Sequence, residues 1–276
     1  MALLETLHKS ADLIKNSKRM LLLTSAGMSA DSNIPTFRDK DGYWENFPPF
    51  KEKNLEAQDL ASPWAFRNVL PHAWAFYEWR RRNAHENQPH TGYQIINEWF
   101  NNCDGFIHTT NTDGLHLMSG CDKNRILEVH GSMWRLQCLD TCTHQFWDDI
   151  SVPLCNLDSQ TMEASNFPSC TQCHGIARPH ILMFGDGEYT GHPEQEINFK
   201  KFLQEPVDLA ILVGSSGAVP TNDYIALHLS KKGTVVININ PDNSSNQIVN
   251  TDLFIEMKSK EAFVELNKIA FGDKIG

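Results

Sequence analysis

The order of apolar and polar segments predicts an α/β architecture, a parallel sheet with helices on both faces and a smaller module inserted between its strands. Three observations lead there. Short runs rich in Leu, Ile and Val recur along the chain and alternate with stretches of helical spacing. Those runs are continuously apolar, as strands covered on both faces require. Two stretches break the rhythm: 40–87 is aromatic and helix-like, and 136–177 is polar and carries cysteines. At 276 residues the chain can bury a full core as one domain. Its sheet part is expected at 1–39, 88–135 and 178–276, and its smaller module at 40–87 and 136–177.

Taken in order, residues 1–20 place Leu3, Leu4, Leu7, Ala11 and Ile14 at helical spacing. They include acidic residues and no cleavage signal, so they read as a first helix and not a targeting peptide. Met20–Thr24 is the first expected strand. Small residues follow it (Ser25, Ala26, Gly27, Ser29, Ala30), and such a turn lets backbone N–H groups approach a phosphate. Pro35-Thr36-Phe37-Arg38 is then a rigid turn that presents an aromatic and a cation together. Further strands are expected at Gly105–Thr110, Arg125–His130, Val207–Val213 and Thr234–Ile239. Asn111 and Asp113 follow the first of these at alternate positions. They share one side if the backbone stays extended, or form an Asx turn that merely ends the strand. His130 closes the next strand beside Gly131, at the carboxyl edge of the sheet. Imidazole titrates near neutrality and can take a proton at working pH.

Cys138 and Cys142 are separated by three residues, and Cys170 and Cys173 by two. Two close pairs of thiolates suit a closed tetrahedral zinc site of structural type. Cys155, His144 or His174 could replace one ligand, and buried free thiols are the bland alternative. Seven cysteines used this way point to a reducing compartment, with the cytoplasm as the default. A net charge of −10 argues against a nucleic-acid or membrane surface. No run approaches the roughly 18 apolar residues of a membrane span.

Several segments together resemble the sirtuins. Thr24–Trp44, TSAGMSADSNIPTFRDKDGYW, is similar to the family's GAGxSxxSGIPxFR. Thr109–His116, TTNTDGLH, resembles TQNIDxLH, and Leu127–Ser132, LEVHGS, resembles the catalytic histidine motif. Arg178–Asp186, RPHILMFGD, is similar to the substrate loop RPxVVxFGE. Gly214–Pro220, GSSGAVP, and Ile239–Pro241, INP, resemble the later ribose and adenosine contacts. The motifs run in family order over roughly residues 1 to 270. Departures are specific. Ser25 stands where the family usually has its first glycine, Asn33 where it has Gly, and Thr110 where it has Gln. The segment after Gly214 is one residue short.

The resemblance implies one sirtuin-type catalytic domain over 1–276, with a Rossmann-like part and a smaller zinc-binding and helical module. It implies NAD as cofactor and structural zinc on Cys138, Cys142, Cys170 and Cys173. The dinucleotide residues would be Ser25, Ala26, Gly27, Ser29, Thr36, Phe37, Arg38, Tyr43, Trp44, Thr110, Asn111, Asp113, Gly214, Ser215, Ser216, Asn238 and Asn240. Asn111, Asp113 and His130 would be catalytic. Ile181, Met183, Phe184 and Gly185 would bind the substrate, an acylated lysine on a protein. Nicotinamide is a cationic leaving group, so the amide oxygen of acyl-lysine can capture C1′ of the ribose. His130 would then help deprotonate a ribose hydroxyl, with nicotinamide, lysine and O-acyl-ADP-ribose as products. Phe37 would shield the reacting face, and Arg38 would support the pyrophosphate or its covering loop.

The segments Glu56–Phe66 and Trp74–Arg80 resemble the sirtuin branch that removes succinyl and malonyl groups. Tyr77 and Arg80 match its Tyr-x-x-Arg pair, share a helix face at i and i+3, and together can grip a carboxylate. Otherwise Trp74, Phe76, Tyr77 and Trp79 are core, and Arg80 pairs with an exposed carboxylate such as Glu78. A monomer acting on protein lysine is expected, without nucleic acid or membrane. The alternative is an NAD glycohydrolase or mono-ADP-ribosyltransferase using the same NAD cleavage.

Overall fold

The computed structural model describes residues 3–36, 43, 47–244 and 251–272. Phe37, Arg38 and Trp44, expected at the dinucleotide, lie outside the described residues. Strands β1 (Arg19–Thr24), β2 (Asp104–Thr109) and β3 (Ile126–Glu128) come first. An inserted set follows: β4 (Gly131–Cys138), β5 (Phe146–Asp148), β6 (Asn156–Asp158), β7 (Glu163–Ser165) and β8 (Ala177–Ile181). Strands β9 (Leu209–Val213), β10 (Val235–Ile239) and β11 (Leu253–Ile255) complete the series.

The main sheet is parallel and six-stranded, in the order β11-β10-β9-β1-β2-β3. Its order reverses between β1 and β9, the switch point at which doubly wound sheets open a crevice for ligands. Central β1 shows why these residues make a strand here. Leu22 sits between Ile107 of β2 and Ile211 of β9. Side chains alternate across the sheet: Met20 and Leu22 join one core, Leu21 and Leu23 the other. All four are fully buried, and each full burial contributes about 1.5–3 kcal/mol. On the Leu22 side lie helices Leu3–Asn16, Thr91–Trp99 and Ser259–Phe271, through Ala11, Ile95 and Phe263. On the Leu21 side lie Pro193–Phe202 and Thr221–Ser230, through Phe202 and Ala226.

The smaller module joins helices Pro48–Glu52, Ala57–Leu60, Pro63–Asn68 and Leu70–Glu86 to an antiparallel sheet β5-β4-β8 and the hairpin β6-β7. Its core is aromatic, built on Phe47, Phe50, Phe66, Trp74 and Phe76. Its sheet starts at Gly131 and ends at Ile181, outside the expected bounds of 136 and 177. Apolar runs did not reveal this, because β4 mixes Arg135 and Gln137 with Met133 and Leu136. Strand β3 stops at Glu128, so His130 lies in the turn into β4 and does not end a strand. β11 is an addition, three residues long and too short for its period to be read.

Candidate active site at the sheet switch point

The loops after β1, β2 and β9 and the segment 181–187 enclose a cleft of about 1310 Å³. Ser25, Ala26, Ser29, Thr36, Thr110, Asn111, Asp113, His130, Gly214, Ser215 and Ser216 all line it. So do Tyr77, Arg80, Ile181, Met183, Phe184 and Gly185. Gly27 works from behind: its N–H donates to the Gly214 carbonyl at 3.1 Å. A Cβ at Gly27 would stand 2.6 Å from the Gly214 Cα, and Gly214 itself has φ +64°. Only glycine permits that approach of two loops.

Three expected dinucleotide residues are placed elsewhere. Tyr43 is packed with Phe47 and Phe50 in the aromatic core, and its hydroxyl donates to the Leu55 carbonyl at 3.2 Å. Asn238 and Asn240 are buried and do not line the cleft. Asn240 instead donates from Nδ2 to the Ser215 carbonyl at 2.6 Å, bracing the loop after β9.

Asn111 and Asp113 are joined through Ser29. Asn111 Nδ2 donates to the Ser25 carbonyl at 3.0 Å and to Ser29 Oγ at 2.9 Å. Ser29 in turn donates to Asp113 Oδ2 at 2.7 Å, while Asp113 Oδ1 accepts from the Leu115 N–H at 3.0 Å. This second bond is an Asx turn, but β2 already ends at Thr109, so the turn does not stop the strand, and Asp113 lines the cleft. Burial pushes the Asp113 carboxyl above its usual range, opposed by these two donors and by Arg80. Tyr93, unsuspected from the sequence, lies 3.0 Å from Ser29 Oγ. Since the Ser29 proton goes to Asp113, Tyr93 is the donor in that contact. No periodic or motif signal marked Tyr93; only tertiary packing brings the helix Thr91–Trp99 under the loop.

His130 is partly buried at the cleft. Burial lowers its pKa below the ordinary histidine value, and a hydrogen bond to the Thr110 backbone partly restores it. Its Nε2 lies 3.5 Å from Thr221 Oγ1. A mainly neutral imidazole in this position can accept a proton from a hydroxyl in the cleft.

Tyr77 lines the cleft and is also part of the aromatic core of the smaller module. Its ring is fully buried against Phe66 at 5.8 Å, yet its hydroxyl has no hydrogen-bond partner among the described residues. Arg80 Nη2 donates to Thr112 Oγ1 at 3.2 Å. The side chain of Asp186, the last residue of the Arg178–Asp186 motif, is fully buried and paired with Arg178 at 2.7 Å. Glu78 is no exposed partner for Arg80. It is fully buried, binds Arg82 at 2.7 Å, and accepts the N–H groups of Leu154 and Cys155.

The four cysteines converge. Sγ of Cys138 lies 3.6 Å from Cys173, Sγ of Cys142 lies 3.6 Å from Cys170, and all four sulfurs fall within 4.8 Å of one another. Tetrahedral zinc at about 2.3 Å from each sulfur separates them by about 3.8 Å, so the set fits structural zinc with no open position. Cys155, His144 and His174 are outside this group. Cys155 packs instead under the helix Leu70–Glu86.

The fold and cleft define a doubly wound dinucleotide-binding protein with an acid, an amide and an imidazole converging at the switch point. The Sir2 family matches residues 25–221, and the chain belongs to that family, the sirtuins of the sequence resemblance. An NAD-dependent protein deacylase of Leptospira interrogans is 31% identical over 90% of this chain and 92% of its own length. One of Pyrococcus furiosus is 30% identical over 94% and 96%. A crystal structure of a Sir2 homolog in complex with NAD shares 27% identity and superposes with TM-score 0.76, covering 95% of this chain and 93% of that one.

Proposed function

We propose that this Sir2-family chain is an NAD-dependent protein-lysine deacylase whose pocket favours acidic acyl groups such as succinyl and malonyl. Asn111, Asp113 and His130 meeting in one cleft at the switch point carry the catalytic reading, together with relatives named as deacylases over nearly their whole length. NAD supplies a ribose bearing a cationic leaving group. On the protein side, Asn111 has spent both amide protons, so its Oδ1 is the atom left to orient a ligand donor. Asp113 provides a fixed negative charge beside it. His130 provides the base.

The acyl preference rests on the Tyr77 hydroxyl. A fully buried donor without an acceptor costs stability, and a distal carboxylate beside Arg80 would satisfy it. The nearby Asp186 carboxylate is already paired with Arg178.

The purified protein is incubated with NAD and peptides carrying acetyl-, succinyl- or unmodified lysine, with peptide and nucleotide products followed by mass spectrometry. The expected result is O-acyl-ADP-ribose with acylated peptides only, succinyl fastest. In Tyr77→Phe the succinyl rate falls more than the acetyl rate. Nicotinamide release that ignores the peptide would instead support glycohydrolase or ADP-ribosyltransferase activity.

A further inference from the structure

Ser25 and Thr110 both depart from the sirtuin pattern, and in the fold the two residues touch. Thr110 Oγ1 has one proton and two acceptors in reach, Ser25 Oγ at 3.1 Å and the Thr24 carbonyl at 3.4 Å. That carbonyl already accepts from the Thr110 N–H at 3.0 Å and from Asn222 Nδ2 at 2.8 Å, so the proton goes to the nearer Ser25 Oγ, to which Asn222 Nδ2 also donates at 3.1 Å. A hydroxyl oxygen has two acceptor sites and one proton, so these bonds occupy both acceptor sites. The rest of Ser25 is equally committed. Its N–H donates to the Val213 carbonyl at 3.0 Å, and its carbonyl accepts from Met28 N at 2.8 Å and from Asn111 Nδ2 at 3.0 Å. The hydroxyl proton remains. Among the described residues no acceptor takes it, and Ser25, 8% exposed, lines the cleft.

Asn222 is fixed in the orientation this requires. It is fully buried at the head of the helix Thr221–Ser230, and its Oδ1 lies 2.7 Å from His108 Nδ1. Its Nδ2 also donates to the Thr24 carbonyl at 2.8 Å. A carbonyl acceptor on one side and an imidazole on the other leave one consistent assignment: His108 Nδ1 carries the proton and donates to Oδ1.

We propose that Ser25 binds the dinucleotide through its hydroxyl, which Thr110 and Asn222 hold as a donor aimed at a pyrophosphate oxygen. Thr110 and Asn222 are positioning residues for that contact. The place in the fold selects the pyrophosphate. Ser25 and Gly214 follow β1 and β9, the two strands flanking the switch point, where doubly wound sheets receive phosphates. A hydroxyl donating to an anionic oxygen is a short, charge-assisted bond. The polar unit thus supplies by side chain a contact for which a glycine there has no side-chain donor. This inference rests on the reading of NAD as the dinucleotide.

Calorimetric binding of ADP-ribose and of nicotinamide is measured on the intact chain, Ser25→Ala, Thr110→Val and the double variant. Thermal midpoints check that each variant is folded. Ser25→Ala is expected to weaken ADP-ribose about tenfold, as for one hydrogen bond to a charged oxygen, with nicotinamide unchanged. Thr110→Val is expected to weaken ADP-ribose about threefold alone and not at all in the Ser25→Ala background, the non-additivity of coupled residues. Unaltered ADP-ribose affinity in Ser25→Ala overturns the proposal. Equal losses from Thr110→Val in both backgrounds overturn the positioning role by making Thr110 a direct contact. If the unaltered chain binds neither NAD nor ADP-ribose, the functional reading falls together with this one.

Discussion

His130 shows how a single residue is tuned by its surroundings. Burial disfavours the imidazolium, the Thr110 backbone bond favours it, and burial is the larger influence. His108, itself held neutral with its pKa lowered to about 4, adds no opposing charge near neutrality. A base with a lowered pKa stays unprotonated through neutral pH. The acid limb of the kcat/KM profile, which reports the free enzyme, is therefore expected below the free imidazole value of about 6.5, and a limb above it would contradict this reading of His130. His130→Ala is expected to lower kcat by about 10²–10⁴ while ADP-ribose affinity changes little. Ser29 stands beside this base as the joint of the site, since its one hydroxyl links Asn111, Asp113 and Tyr93.

The helix Leu70–Glu86 ties the two modules together at the scale of elements. One side brings Tyr77 and Arg80 to the cleft. Other positions bury charge against the segment between the cysteine pairs. Arg81 donates to the carbonyls of Met133, Asp149 and Ser151 and lies 4.8 Å over the Trp134 ring. Trp134 reaches the site directly, its Nε1 donating to the Asp113 carbonyl at 2.6 Å. The cysteine cluster therefore anchors the segment against which the helix carrying Tyr77 and Arg80 is seated. Cys142 and Cys173 are exposed, yet zinc would shield both from thiol reagents. One zinc per chain is expected, with Cys142 and Cys173 reacting only after chelation and the thermal midpoint falling with metal loss. Rapid modification of both thiols without chelator would contradict the zinc assignment. ADP-ribose binding should outlast acyl-peptide turnover in the chelated protein, because the loops after β1 and β9 sit on the main sheet.

Across the whole molecule, burial of neutral histidines sets the response to acid. His108 and His180 are lowered to about 4 and His116 to about 3, in each case chiefly by desolvation. Between those values and the unfolded value of about 6.5, the unfolded chain binds more protons than the folded one. Their contribution is therefore complete above about pH 6.5 and is lost as pH falls toward 4. Asp113 and Glu128, raised by burial, act in the opposite sense but are held by Ser29 and Arg135. The thermal midpoint is expected to drop steeply from pH 6.5 to 4.5; a flat profile would show that these histidines take up protons as readily in the fold as in the unfolded chain.

The sequence alone determined the sheet and the outline of the cleft. Local apolar runs set β1, β2, β9 and β10, and each site motif lies within one loop, so its residues need no distant partner to be recognised. Cysteine spacing likewise identified the four thiols. Tertiary structure decided which neighbours those residues meet. It moved Tyr43 into an aromatic core, turned Asn240 to brace Ser215, ended β3 before His130, and assigned β4 and β8 to the antiparallel sheet. It also brought Tyr93 beneath Ser29 and Asn222 beside Ser25, across 64 and 197 residues of chain. Hydrogen bonds at such separations leave no local periodicity in a sequence. They arise only when the parallel strands bring their carboxyl ends to one edge.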